Sequence, residues 1–295
     1  MDKSIIGVDI GGTTFSSALF SDGLETLRLS EKEFVSEYLE TDSFLNALSG
    51  QINSLIDGNK NIDVIGIGVS CPGPLDSKNG IILETPNMQI LQNVHLKKEI
   101  QERVGIDTHI QNDANLFALG EWFKNSGNPD EIFSGVTLGT GLGFGVIING
   151  KIYSGAHGLA AEYAISPLDG GNWESRVSIQ AIRDIASKYF EDKNISPKKL
   201  SSMAEDGNQD ALKIWHEFGR NLGMALSHFI NLVDPHKISV GGGISNAFNL
   251  FESEMRGALS AHCPAYSGFD IKIFESTQKE LSSQLGAALL VKGYH

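Results

Sequence analysis

Two cysteines, Cys71 and Cys263, are all that the 295 residues contain. So sparse a pair excludes a disulfide framework and a cysteine-built zinc site, and it fits a reducing compartment. Positive charge is also scarce: 23 Lys and Arg face 36 Asp and Glu, for a net charge of −13. A surface of that sign repels phosphate backbones and anionic lipid, so neither nucleic acid nor membrane is an expected partner. No apolar run reaches the roughly 20 residues that a spanning helix needs. The opening residues enter a strand pattern at once, which leads us to expect no cleavable signal, no preceding DNA-binding helix-turn-helix and a cytoplasmic location. A Gly-x-x-x-x-Gly-Lys-Ser/Thr element is absent too, which argues against a P-loop enzyme.

What is present suits a folded chain of two domains. Apolar residues make up 41% and charged residues 20%, and single cores tend to split near this length. Residues 4–20 read as a hairpin, with Ile5, Ile6, Val8 and Ile10 before the turn Gly11-Gly12-Thr13-Thr14 and Phe15, Ala18, Leu19 and Phe20 after it. Helical spacing covers 42–57, and Val64 to Val69 is a short strand that runs into the rigid turn Cys71-Pro72-Gly73-Pro74. A helix over about 94–104 precedes a strand over 107–110, and another helix follows through Leu116, Leu119 and Trp122. The longest helical pattern, 208–233, carries Leu212, Trp215, Leu222, Leu226, Phe229 and Val233 on one face; Gly219 and Gly223 offer a groove, and Pro235 ends it. The polar stretch 191–208 reads as a connection between helices. Ile238 to Val240 is a strand opening into Gly241-Gly242-Gly243, and a final helix covers 283–292.

Residues 132–148 repeat the plan of the N-terminal hairpin: strand, Gly139-Thr140-Gly141 turn, strand. Two such units about half a chain apart suggest a duplicated domain with a ligand between the halves. Both turns can set backbone N–H groups against phosphate oxygens, since glycine permits φ > 0 and close approach, and their threonines add donors. The first turn does not open a crossover helix, so a dinucleotide fingerprint fits poorly. Asp9 lies just before that turn, where a carboxylate is tolerable beside phosphate only with a cation such as magnesium; the alternative is a strand-end aspartate accepting turn N–H groups. Asp113 follows an apolar strand and precedes a helix, at the end of a strand where open α/β sheets bind ligands. Asn112 beside it can donate and accept toward a polyol. The alternative for Asp113 or Asn115 is a helix N-cap.

Six segments occur in one order: Asp9-Ile10-Gly11-Gly12-Thr13; Cys71-Pro72-Gly73-Pro74-Leu75-Asp76; Asn112-Asp113-Ala114-Asn115 with Gly120-Glu121; Leu138 to Gly143; Gly155 to Glu162; and Gly241-Gly242-Gly243-Ile244. The series resembles the ROK family of repressors and sugar kinases and spans nearly the whole chain. The resemblance implies an α/β, actin-like ATPase (ribonuclease H-like) fold of two lobes with a central cleft. Residues 1–115, completed by the helix 283–295, would form the smaller lobe, and 116–282 the larger one with ATP and dimer contacts. It implies ATP and magnesium as cofactors, with ATP on Gly11, Gly12, Thr13, Thr14, Gly139, Thr140, Gly141, Gly242 and Gly243 and magnesium near Asp9. It makes Asp113 the general base, places Gly73, Asn87, Asn112, Glu162 and Glu174 around the sugar, and suggests a homodimer.

The departures are specific. The family's Ile-Gly-His stretch is here Tyr163-Ala164-Ile165, so a histidine that binds zinc and sugar is replaced by Ile165. Leu168 to Trp173 holds no Cys or His, so no zinc is expected. His157 reads as a solvated turn residue. The expected function is phosphorylation of a hexose hydroxyl, at O6 of glucose or a close relative. Kinases of N-acetylmannosamine, N-acetylglucosamine, fructose or β-glucosides, polyphosphate as donor, and a non-catalytic sugar-sensing regulator are the alternatives. An acetate-type kinase or exopolyphosphatase of the same fold suits Asn112, Asp113 and Glu162 less well than a polyhydroxylated acceptor does.

Overall fold

A computed structural model describes residues 2–57, 62–85, 88–278 and 281–294. The chain divides into two compact units, Met1–Pro129 with Gly145–Ala160 and Glu280–His295, and Asp130–Phe144 with Ala161–Lys279.

In the first unit β1 (Asp2–Ile10) pairs antiparallel with β2 (Thr14–Ser21), Ile10 opposite Phe15, so the glycine turn closes a true hairpin. Both strands are buried along most of their length because both faces are covered: Ile5, Ile6, Val8, Ile10, Phe15 and Leu19 are all buried. Two short strands, β3 (Thr26–Leu29) and β4 (Glu33–Phe34), also pair with β2. Helix α1 (Thr41–Asp57) buries Phe44, Leu45, Leu48, Ile52 and Leu55, one stripe of a 3.6-residue repeat. Strand β5 (Ile62–Cys71) then runs parallel to β1. A small hairpin follows, β6 (Leu75–Asp76) with β7 (Ile81–Ile82). Helix α2 (Leu96–Val104) stops at Gly105, whose φ of 79° is the left-handed conformation that glycine tolerates best. Strand β8 (Thr108–Asn112), parallel to β5, leads into α3 (Asp113–Asn125). The main sheet is ordered β3-β2-β1-β5-β8.

The same plan recurs. Strand β9 (Phe133–Leu138) leads to β10 (Leu142–Ile148), along which the chain passes back into the first unit, where β11 (Lys151–Ile152) pairs with it. In the second unit β12 (Pro167–Leu168) and β13 (Gly171–Asn172) form a short ribbon before α4 (Ile179–Ala186), α5 (Pro197–Glu205) and α6 (Gln209–Val233). Strand β14 (Lys237–Gly241) pairs parallel with β9. After α7 (Phe248–His262) and α8 (Pro264–Gly268), β15 (Lys272–Glu275) pairs parallel with β14. This sheet is ordered β11-β10-β9-β14-β15. Strand for strand it repeats the first, which is the duplication the two glycine hairpins announce and the α/β, actin-like ATPase fold expected above. Helix α9 (Leu281–Val291) belongs to the first unit and packs on β1, β5 and α3.

Two local expectations are corrected. Residues 191–208 are not all connection: α5 lies within them, capped by Ser196, whose hydroxyl accepts from the Lys199 N–H at 3.2 Å, and started by Pro197. It buries only Leu200 and Ala204, too thin a stripe to stand out in a polar segment. Helix α6 closes at Asp234, which takes the left-handed conformation at φ 49°, one residue before Pro235. Within α6, Leu212 and Val233 are only half-buried, and the buried face also takes in Ile214, Phe218 and Ile230. The groove at Gly219 and Gly223 is real: a Cβ at either would overlap the carbonyl of Phe251 or Met255 on α7. Among the described residues no helix is long and apolar enough to cross a membrane.

Candidate active site

The three parallel strands of the first unit end level with one another. Asp9 pairs in register with Ser70, Ser70 with Gln111, and Cys71 with Asn112. Asp9 and Asn112 therefore stand at one sheet edge, the C-terminal edge where α/β proteins bind ligands, and Asp113 follows at the first turn of α3. The Ser70 hydroxyl donates to Asp9 Oδ1 at 2.8 Å. Nothing in the sequence singles out Ser70, because its partner lies 61 positions away and only strand register brings them together.

The N-cap question is settled by geometry. Asn112 is the cap of α3: its Oδ1 accepts from the Ala114 and Asn115 N–H groups at 3.0 and 3.3 Å. Asp113 sits inside the helix, with Oδ1 accepting from the Ala114 N–H at 2.8 Å, and Asn115 is buried. The Asn112 side chain thus presents its amide nitrogen, and that nitrogen would lie 3.0 Å from a Cβ at Gly73. Gly73 and Asn112 are therefore neighbours. Cys71, fully buried at the end of β5, has its thiol pushed far up by burial first, and then by the charges of Asp113 and Asp9. Both carboxylates therefore lie near enough to Cys71 for their charges to act on its thiol. Asn87 lies outside the described residues.

The hairpin turn before β2 is exposed at Gly12 and Thr13, and the Gly11 N–H donates to Thr14 O at 2.8 Å. Neither glycine has a positive φ. In the second unit the turn Gly139-Thr140-Gly141 stands beside Gly242-Gly243, because β9 and β14 run in register from Phe133 opposite Lys237 to Thr137 opposite Gly241. A Cβ on Gly242, whose φ is 86°, would overlap the Leu138 backbone. Here alone among these turn glycines is φ positive. At Gly139 and Gly243 a Cβ would meet no atom within 4 Å, so both glycines face open space. Exposed turns with room in front and threonine hydroxyls at hand fit a polyphosphate chain. Among the described residues no group of three or more His, Cys, Asp or Glu could hold a metal ion.

Glu162 and Glu174 come together in the second unit. The Glu162 carboxyl is held above its ordinary value of 4.5, by burial of the carboxyl first and by the Glu174 charge second. Glu174 also reaches the glycine turn, where its Oε2 accepts from the Leu142 N–H at 3.1 Å. Tyr163 is turned inward onto Phe144, Trp173 and Phe229, and burial pushes its phenol up to about 12. Ile165 is 60% exposed, and His157 is exposed as expected.

Two measurable consequences arise here. A carboxylate whose pKa is raised on folding costs the native state stability as pH rises through that range. Glu162→Gln should therefore raise the melting temperature at pH 7.5, and the gain should vanish near pH 4, where both states are protonated. Melting curves at the two pH values read this out, and an equal shift at both would refute the charge account. Ala161, just before Glu162, has φ 66°, a conformation that costs an L-residue with a Cβ roughly 1–2 kcal/mol. Ala161→Gly should stabilise the fold by about 0.5–1 kcal/mol in urea unfolding, and a loss of stability would contradict the strain.

Comparison with known proteins identifies the family and supports the fold. The family model described as "ROK family" matches residues 5–294. A glucokinase of Thermotoga maritima is 30% identical over 98% of this chain and 97% of its own. An N-acetyl-D-glucosamine kinase of Histophilus somni is 30% identical over 87% of this chain and 88% of its own. A ROK family glucokinase from Streptomyces griseus, solved in complex with glucose and AMPPNP, superposes with a TM-score of 0.85 at 26% identity, over 98% of this chain and 99% of that one. With the ordered motifs, the doubled sheet and a family match from end to end, the chain belongs to the ROK family.

Proposed function

We propose that this chain transfers the γ-phosphoryl group of ATP to a hexose hydroxyl, O6 of glucose or a close relative, with Asp113 as general base. One observation carries the reading: β1, β5 and β8 end level, and set Asp9, Asn112 and Asp113 along one edge beside a glycine hairpin turn.

Phosphoryl transfer needs placement and charge compensation more than covalent help. Asp113 takes the hydroxyl proton as the new oxygen–phosphorus bond forms and ADP departs. The Ala114 N–H holds one oxygen of that carboxylate and so fixes its orientation. Asn112 spends its oxygen on the helix cap, so it meets the sugar as a donor only. Gly73, without a side chain, leaves that amide accessible. Glu162 accepts from a further hydroxyl, and holding the acceptor in one pose supplies much of the rate. Magnesium brought by the nucleotide, near Asp9, would offset phosphate charge.

N-acetylglucosamine is the second acceptor to weigh, because the Histophilus somni kinase matches as well in identity as the Thermotoga maritima glucokinase does. The test is an ADP-release assay with purified chain, crossing glucose, N-acetylglucosamine, N-acetylmannosamine, fructose and a β-glucoside with ATP and polyphosphate as donors, sugar phosphate being measured directly for polyphosphate. Turnover with glucose and ATP is the expected result. No sugar-dependent turnover with any pair would leave a sugar-sensing regulator as the reading.

A further inference from the structure

We infer that Ser70 is a positioning residue for Asp9, holding that carboxylate in the pose that meets the cation accompanying the nucleotide; the inference rests on the kinase reading above. Strand register sets Ser16, Asp9, Ser70 and Gln111 abreast on β2, β1, β5 and β8. Side chains alternate along a strand and paired ones share a face, so Asp9 and Ser70 point the same way. The Ser70 hydroxyl donates to Asp9 Oδ1 at 2.8 Å. Ser70 is fully buried, as are its chain neighbours Val69 and Cys71, whereas Asp9 is half-buried. A polar side chain with no access to water costs free energy unless it is bonded, and the Asp9 carboxylate is the partner that the Ser70 hydroxyl finds. Ser16, on the other side of Asp9, is tied to α9 instead, its hydroxyl accepting from Gln284 Nε2 at 2.9 Å.

The glycine turn that follows Asp9 is fixed by backbone. The Gly11 N–H donates to Thr14 O at 2.8 Å, and the Val35 N–H donates to Thr13 O at 2.9 Å. A carboxylate beside that turn needs a partner of its own to hold an equally fixed pose, and Ser70 supplies one from the end of a central strand. A half-buried carboxylate next to an exposed turn fits magnesium, which keeps several waters and takes one or two carboxylates along with substrate phosphates. A hydroxyl donor orients Asp9 without cancelling its charge, as a lysine or arginine in the same place would. The charge stays available to the cation, and the orientation is what Ser70 adds.

The experiment is a double-mutant cycle on the full chain: wild type, Ser70→Ala, Asp9→Asn and the two combined. Calorimetry measures the Kd for AMPPNP in magnesium and again in EDTA, and the ratio of the two is the magnesium enhancement. Ser70→Ala should cut that enhancement by about tenfold, the size of a lost hydrogen bond to a charged group, and leave the Kd in EDTA and the glucose Kd nearly unchanged. Asp9→Asn should cut it at least as far, and adding Ser70→Ala to Asp9→Asn should change nothing further, because Ser70 acts through that carboxylate. A merely structural serine would weaken AMPPNP equally in both buffers, or would add its own loss on top of Asp9→Asn. Either result overturns the inference, as does a magnesium enhancement that Ser70→Ala retains in full. A wild-type chain that binds no AMPPNP in either buffer sinks the kinase reading and the inference together, whereas a wild-type enhancement that survives Ser70→Ala sinks the inference alone.

Discussion

Replacing Asp113 by Asn is expected to lower kcat by about 10²- to 10⁴-fold, with the glucose Kd changed by only about threefold. The substitution is unusually clean at this position. The helix cap belongs to Asn112, so it survives. The bond from the Ala114 N–H to Oδ1 also survives, because the Asn oxygen accepts in the same place. What is lost is the capacity to take a proton. Stability should scarcely move, whereas Asn112→Ala, which removes the cap, should cost about 1 kcal/mol. Single-turnover phosphorylation, with glucose binding measured separately, decides the matter. A variant that keeps more than about a tenth of the wild-type kcat is too active for general-base catalysis of ordinary size.

The sequence discloses the parts of this site that are local and conceals those that depend on register. Glycine turns between apolar runs announce both hairpins, and the strand-to-helix junction announces Asn112 and Asp113. Which residue caps α3 is not readable: Asn112, Asp113 and Asn115 stand within four positions and all suit the role, and the cap is Asn112 rather than Asp113 or Asn115. Ser70 against Asp9, and Glu174 against the Leu142 N–H, are pairings 61 and 32 positions apart that no spacing rule predicts. The glycines mislead in one respect. A positive φ is the obvious reason for a glycine turn, yet of those at the candidate site only Gly242 has one; at Gly141 a Cβ would instead meet the Glu174 carboxylate. Helix α5 escapes notice because it is short, 9 residues, and buries only Leu200 and Ala204 within a polar stretch.

The last large effect concerns how α9 closes the first unit. Helix α9 meets backbone through glycine at four places. A Cβ at Gly7 on β1 would overlap Gln284 O, and one at Gly68 on β5 would overlap Ala287 O. One at Gly120 on α3 would overlap Ser282 O, and one at Gly286 on α9 itself would overlap Leu116 O. In each case the obstacle is main chain, which no rotamer change can move aside. A methyl there must push the helix off the sheet, and overpacking of this kind costs about 3 kcal/mol or somewhat more. Gly68→Ala should therefore lower the urea midpoint sharply. Adding Gly286→Ala should remove about 6 kcal/mol, comparable to the whole stability of a small domain, and leave the first unit unfolded. Gly50→Ala in α1 is the control: its Cβ would meet nothing within 4 Å, and helix propensity should make it stabilising by up to about 1 kcal/mol. If Gly68→Ala and Gly50→Ala unfold at the same urea concentration, α9 does not lie against the sheet at this distance and does not complete the unit that carries Asp113.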